Sequence, residues 1–554
     1  MMRSVLVCAL LAVAPAAQMT VLVNDPLSKG VLGDDKVSLH EAIMVLNTNL
    51  PFTAFSTAEQ NQFRGLPTTV LDTVEIDFNI TPVITIEESL PIIKGDTISH
   101  VDCIFRGLNG RPVIDATGVS VNAVFPSATN HTMLHDLIIR GGKAGLDTDS
   151  TLHYHPGIIM TVENCLFEQQ SEVCVRIRIP FQSTGAIEPG QLLRNEFRNL
   201  PIGAELVEQG LFADLDTSLS GNFFNGCDIG LKIRMLGLGG LADVIADRTR
   251  VVGATTGIYV ERQLGSDSTL RFDLVHGDVA ASDVALDIEG GRPAATNVSV
   301  HHFDLQGGAS GYALRASPSN AWLGLRLGET HFDGPVSVEI GNSLQAQLDV
   351  GNCRFENGAV TLDYQGPATR PTPVLDRCVF ESAPLTIAAA STRAFAFTDS
   401  EFSSSPIDNQ SSSAATLDAC FLGSSSTSGM VTSQNPISQR WIGQASVSPN
   451  NPPLGGTFSL NVDLQPDTLA VWLLGVSEQR PLTTFSPRLY FSLFAFLTLP
   501  IPVTGTDSLN FPVPINPIFS GAELYCQPGM IPVPGTQSPA PEWSLPRGGL
   551  LKIQ

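Results

Sequence analysis

The chain has 554 residues, only 15% of them charged, and a formal net charge of −23. Its 49 glycines and 38 prolines point away from a helical bundle and towards a turn-rich β protein. The acidic balance argues against nucleic acid or an anionic membrane as partner, because both call for clustered lysine and arginine.

Residues 1–17 begin with a basic Arg3, continue through an apolar run from Val5 to Val13 and reach Ala14-Pro-Ala16-Ala17. That order predicts a secretory signal peptide with the mature chain starting at Ala17 or Gln18. The run is too short for a permanent span, and no later stretch holds eighteen uninterrupted apolar residues. The expectation is a secreted, extracellular or cell-surface protein with no transmembrane segment in the mature chain.

Residues 18–150 open on a strand-like Thr20-Val-Leu-Val-Asn24. A loop leads to Val37-Ser-Leu-His-Glu-Ala-Ile-Met-Val-Leu-Asn47, the best helix pattern in the chain. Ser38 and Glu41 have capping-box spacing, each satisfying a free backbone N–H of the other. Leu39, Ile43 and Leu46 then share one face. A lone amphipathic helix ahead of a solenoid is expected to plug its open end. Ser56 with Glu59 offers a second cap of the same kind.

The stretch Val37-Ser-Leu-His-Glu-Ala-Ile43, with Asn47 after it, resembles the motif of the CSLREA-domain family of secreted bacterial proteins. The likeness covers roughly residues 20–150 and includes Ile84-Thr-Ile86, Leu90-Pro-Ile92 and Val113-Ile-Asp115. Val37 stands at the family's Cys and His40 at its Arg. The resemblance implies a right-handed parallel β-helix following the motif, and no defined reaction.

Residues 151–429 carry a repeating line: a polar residue, then Phe within two to four positions, then a small-residue turn and a second apolar strand. It reads Asn164 to Phe167, Asn195 to Phe197, Asn222 to Phe224, Asn352 to Phe355, Asp376 to Phe380, Asp399 to Phe402 and Asp418 to Phe421. Weaker copies are read at Val251, Val275, Phe303 and Phe332. A period of about 25 with short strands is the signature of a β-solenoid, whose turns stack at roughly 4.8 Å. The Asn and Asp before each Phe are expected to bond backbone at a turn. Cys165, Cys353 and Cys378 lie two residues before their Phe and share its inward face. Cys353 and Cys378 fall on successive turns and are close enough in the pattern to bond. The long intervals 167–197 and 275–332 are expected to bear loops, where solenoids commonly place binding surfaces.

Residues 430–445 read as a linker. Beyond them, 17 of the 38 prolines crowd into Pro449–Pro546, which confines strands to short runs. Thr457–Val462, Leu469–Leu474 and Leu489–Phe491 are such runs, so 446–554 is expected to be a β-sandwich module. The fold class is therefore all-β: a right-handed parallel β-helix with an N-terminal capping helix, followed by a C-terminal β-sandwich.

Chemistry is sparsely signalled. Arg176 and Arg178 point the same way on one strand, as a carboxylate-binding pair would, and Asp214 and Asp216 repeat the i, i+2 spacing with acids. These four are the catalytic candidates. His153 and His155 flank Tyr154 at metal-ligand spacing and are the metal candidates, without a third ligand close by. Nothing resembles a phosphate loop, a serine nucleophile elbow or a calcium repeat, and no cofactor is expected. Two readings stay open. One is a non-catalytic structural, adhesive or glycan-contacting protein whose partner is a polysaccharide or cell-surface component. The other is a polysaccharide lyase or glycoside hydrolase acting on an acidic polysaccharide. A lyase needs a base with a charge-neutralising partner, and a hydrolase needs carboxylates on adjacent turns.

Overall fold

The computed structural model describes residues 19–47, 49–65, 71–93, 103–127, 131–148, 159–179, 190–209, 214–263, 266–290, 295–318, 322–342, 346–367 and 369–436. Beyond these it describes residue 456 and the strands named below. The chain divides into two compact units. The first runs to Arg326 and takes in Phe332–Leu348 and Asp363–Arg370; the second comprises Leu327–His331, Asp349–Leu362 and Pro371 onward.

The first unit is a right-handed-type parallel β-solenoid. One turn consists of three strands, Ile159–Glu163, Leu166–Glu168 and Val173–Ile179. They pair in parallel with Gly190–Leu193, Glu196–Arg198 and Ile202–Glu208 of the next turn. Those pair in turn with Asp214–Ser220, Phe223–Asn225 and Ile229–Met235. Backbone hydrogen bonds thus run between turns, and each turn's apolar residues are buried only because a neighbour stacks on it.

A left-handed residue makes the corner between the first and second strand of each turn. Asp136, Asn164, Arg194, Gly221, Arg248, His276 and His302 all have φ between 50° and 66°. Three positions after each lies the inward residue: Ile139, Phe167, Phe197, Phe224, Val251, Val279 and Leu305, all essentially inaccessible. Phe167, Phe197 and Phe224 stack with centroids 5.4 and 4.6 Å apart, a geometry that adds to their area burial.

The ladder positions expected at Val275 and Phe303 shift accordingly. Val251 pairs with Val279, which pairs with Leu305, whereas Val275 lies opposite Asp247 and His301. The spacing there becomes 28 residues from Val251 to Val279 and 26 from Val279 to Leu305, in place of the shorter and then longer interval expected. The residues between Phe167 and Phe197 that would hold the other long loop, 180–189, lie outside those described.

Close approach makes room for the rings. A Cβ on Gly145 would stand 2.6 Å from Phe167, and one on Gly203 would stand 2.4 Å from Phe224. Gly230 and Gly257 face Val251 and Val279 in the same way.

The polar residues ahead of Phe prove to occupy three different positions. Asn164, Asn352 and Asp399 are left-handed corners, a conformation that asparagine and aspartate tolerate. Asn195 and Asn222 sit one place later and are buried. There Asn195 accepts from the Cys165 amide (3.0 Å) and donates to the Val162 carbonyl (2.7 Å), while Asn222 donates to the Leu192 carbonyl (2.7 Å). Asp376 and Asp418 stand one place before their corners, Arg377 and Ala419.

Ahead of these turns, Leu39–Leu46 is helical. Both halves of the Ser38/Glu41 capping box are formed, and Leu39, Ile43 and Leu46 are buried. Thr57–Gln60 begins with the second box, Ser56/Glu59. Burial pushes the Glu41 carboxyl up to about 7 against the hydrogen bonds from Ser38, with Asp34 and Glu59 adding repulsion.

The second unit carries parallel turns of the same kind. Arg354–Glu356, Val379–Glu381 and Glu401–Ser403 pair in sequence, with Phe355, Phe380 and Phe402 stacked at 4.8 and 4.6 Å. Phe421 leaves the ladder: it lies opposite Glu401 and is half-buried. Cys353 and Cys378, expected within bonding reach, are both buried thiols. Serine takes over the buried polar column, Ser400 Oγ accepting from the Cys378 amide at 3.0 Å. Val431–Gln434 pairs with Ala415–Asp418, so the turns reach into the stretch expected to be a linker. Farther on, Ala445–Ser448, Thr457–Leu464 and Gly505–Pro512 form one antiparallel sheet. Thr468–Gly475, Ala495–Thr498, Glu523–Pro532 and Gly549–Lys552 form another.

Candidate functional site

The third strand of each turn in the first unit carries a small residue near its start and then alternates inward and outward. Gly145-Leu-Asp, Cys174-Val-Arg, Gly203-Ala-Glu, Gly230-Leu-Lys, Gly257-Ile-Tyr, Ala285-Leu-Asp and Ala313-Leu-Arg align in this way. Their third members, Asp147, Arg176, Glu205, Lys232, Tyr259, Asp287 and Arg315, form one outward column in direct register. Two places on, Arg178, Val207 and Arg234 begin a second column.

Charges of opposite sign meet along these columns. Arg176 Nε donates to Glu205 Oε2 at 2.5 Å, and its Nη1 lies 3.3 Å from Asp147 Oδ2. Arg178 Nη2 donates to the same Asp147 oxygen at 2.8 Å. Lys232 Nζ lies 2.9 Å from Glu261 Oε2, and Arg234 bridges Glu261 (3.1 Å) and Glu205 (3.5 Å). Arg315 Nε donates to Asp287 Oδ1 at 2.9 Å. Glu205 and Asp287 are each only 4% exposed in the side chain, which reduces solvent screening and strengthens such pairs. Burial alone would lower the Arg176 guanidinium, yet Glu205 and Asp147 outweigh it and hold the charge more firmly. Glu261 behaves as the complement: burial raises it, and Lys232 with Arg234 bring it below its usual range.

Two aromatic rings join this face. Lys232 Nζ lies 5.3 Å from the Tyr259 centroid, and the Arg315 guanidinium lies 5.9 Å from that of Tyr312. The Tyr259 hydroxyl donates to Glu289 Oε2 at 2.6 Å. Burial and that carboxylate raise the phenol further above its ordinary value. The result is a strand face with rings, donors and acceptors side by side.

The sequence candidates fall in different places. Arg176 and Arg178 do share a side, but they are ion-paired rather than open to an incoming carboxylate. Asp214 and Asp216 lie on the first strand of their turn rather than the third, and Asp216 is in register with Asp243, Arg271 and Asn297. Burial and Asp243 raise the Asp216 carboxyl. The arginine pair and the aspartate pair are therefore not brought together. His153 and His155 lie outside the described residues. Among the described residues no group of three or more His, Cys, Asp or Glu is arranged to hold a metal ion. No described helix is long and apolar enough to cross a membrane.

Sequence reasoning missed Asp147, Glu205, Lys232, Glu261 and Asp287. The signal that finds them is the small residue: aligning Gly145, Cys174, Gly203, Gly230, Gly257, Ala285 and Ala313 puts every outward charge in its column.

No family model and no curated protein matches this chain. Among solved structures, a mutant tailspike protein of E. coli bacteriophage HK620 in complex with a pentasaccharide is similar at 10% identity and a TM-score of 0.25. The match covers 79% of this chain and 80% of that one. A likeness that distant bears on nothing in this chain's chemistry.

Proposed function

We propose that the protein is an exported β-helix whose outward strand face around Arg176, Lys232 and Tyr259 contacts a glycan. The observation that carries this reading is the unbroken outward column from Asp147 to Arg315, with its alternating donors and acceptors. Turns stacked at ~4.8 Å present such groups at intervals on the order of one sugar ring, and rings beside cations suit the C–H faces of sugars. Export rests on the signal pattern of residues 1–17. In the same proposal the helix Leu39–Leu46 closes the amino-terminal end in the CSLREA manner, and the antiparallel strands beyond residue 444 form a sandwich that holds the protein near a surface. The test is retention of the purified chain on immobilised polysaccharides, compared with Tyr259→Ala. Retention that falls in the variant supports the reading, and absence of retention on every polysaccharide refutes it.

One observation favours a second reading, glycoside hydrolysis. Asp216 and Asp243 are in-register carboxyls on adjacent turns, the arrangement that hydrolases use as an acid and its partner. Release of reducing ends that Asp216→Asn abolishes would establish it. Unchanged polygalacturonate, alginate and chondroitin after prolonged incubation, with and without calcium, would leave the acidic-polysaccharide version without support.

A further inference from the structure

We infer that the outward face of the third-strand sheet selects an uncharged glycan over a uronate-bearing one. The inference rests on the glycan-contacting reading and specifies its ligand. Its ground is the pairing pattern: Arg176, Arg178, Lys232, Arg234 and Arg315 each already hold a carboxylate.

An acidic sugar is recognised by cations whose charge is available, most often through a bidentate guanidinium. Here a uronate would have to displace a resident carboxylate from its partner. Arg176 is held by Glu205 together with Asp147, and Arg315 by Asp287; Glu205 and Asp287 are almost wholly buried. Neither can swing into water, so Asp287 would remain as a buried charge without Arg315 and Glu205 would keep only Arg234 at 3.5 Å, a costly outcome for such pairs. The face also keeps Glu289 on the Tyr259 hydroxyl, and the chain as a whole is at −23, so the long-range field repels an anionic polymer as well.

An uncharged chain meets none of these penalties. Its hydroxyls donate to the more exposed Glu261 carboxylate, since an ionised carboxylate has about four acceptor sites. They also accept from the remaining guanidinium N–H groups, without breaking a pair. Tyr259 and Tyr312, each oriented by a neighbouring cation, supply ring faces for stacking.

The pairing also predicts how the preference inverts. Glu205 is shared by Arg176 and Arg234, so Glu205→Gln removes one negative charge and leaves Arg176 with Asp147 alone and Arg234 with Glu261 alone. Glu261 is shared by Lys232 and Arg234 and lies nearer the solvent, so Glu261→Gln takes the carboxylate from Lys232 and leaves Arg234 with Glu205 alone, at a site less demanding for folding.

The test is affinity electrophoresis of the full chain in gels containing dextran, galactomannan or xylan as neutral probes, and polygalacturonate or alginate as acidic ones. The expected result is retardation by at least one neutral probe, lost in Tyr259→Ala, and none by the acidic probes. Glu261→Gln and, if it folds, Glu205→Gln should gain retardation in the acidic gels, and added salt should abolish that gain. Wild-type retardation by an acidic probe equal to or greater than by any neutral one overturns the inference while leaving the glycan-contacting reading intact. Failure of both variants to gain acidic retardation, with their circular dichroism unchanged, also overturns it. Absence of wild-type retardation in every gel refutes the underlying reading, and the inference with it.

Discussion

The turns through Phe167, Phe197 and Phe224 and those through Val251, Val279 and Leu305 share a backbone and differ in what fills it. The first set is a stack of parallel rings. In the second, aliphatic side chains take the same place, and the nearest phenylalanine, Phe303, sits two residues early. It lies against Gly277, where a Cβ would come within 2.6 Å of its ring. Both sets keep a left-handed corner three residues ahead of the inward side chain and a small residue facing it. The repeat is thus held by corner and close approach, and the ring is one of several fillers. This explains why phenylalanine alone marks the register well up to residue 224 and misplaces it at 275 and 303.

The strongest way to break this comparison is to empty both kinds of turn. Phe197→Ala should cost about 3–5 kcal/mol and Val279→Ala about 2 kcal/mol, read from denaturant titrations followed by circular dichroism. Equal losses would mean that the ring turns depend no more on their filler than the aliphatic ones do. Filling the small position comes next. Gly203→Ala and Gly257→Ala should each cost about 1–3 kcal/mol. The added methyl meets Phe224 at 2.4 Å in one and Val279 at 2.1 Å in the other, with a backbone carbonyl at 2.6 Å in both. A neutral Gly257→Ala would show the aliphatic turns to be loosely packed. Asn195→Ala should cost about 1–3 kcal/mol by leaving the buried Cys165 amide without its acceptor; a change below the scatter of the titration would place water there instead.

The smallest effects lie outside the stack and have opposite pH signs. Hydrogen bonding from His331, with Arg354 beside it, holds Glu356 down at about 2 against an ordinary 4.5, despite its burial. A depressed acid binds fewer protons when folded, so its contribution is complete above about 4.5 and is lost as pH falls towards 2. Glu356→Gln should cost about 1 kcal/mol or less at neutral pH and flatten that acid limb. Its neighbour Phe355 should show the ring-sized loss instead; similar values for the two would place Glu356 inward. Glu41, raised from 4.5 to about 7 by burial, binds more protons when folded. Its effect therefore makes stability decline as pH rises through that window, and Glu41→Gln should remove the decline. A pH profile identical to wild type would show Glu41 to be ionised throughout.

Much of the architecture follows from residues close in sequence. The boxes Ser38/Glu41 and Ser56/Glu59 need only three residues of separation, and both form. Inward phenylalanines and the shared side of Arg176 and Arg178 follow from the period of two along a strand, which neighbours fix on their own. What the chain could not announce is which residues meet across turns. Arg176 finds Glu205 and Asp147, each 29 positions away, and Asp216 finds Asp243 instead of the arginines. Those partners depend on how many residues each intervening turn consumes, and a change of one residue carries a side chain to the opposite face. The sequence by itself therefore determined a ladder-built β-solenoid. Only the tertiary structure decided the register, because it is set by corners and close approaches that sum over whole turns, and with it which charges neutralise one another.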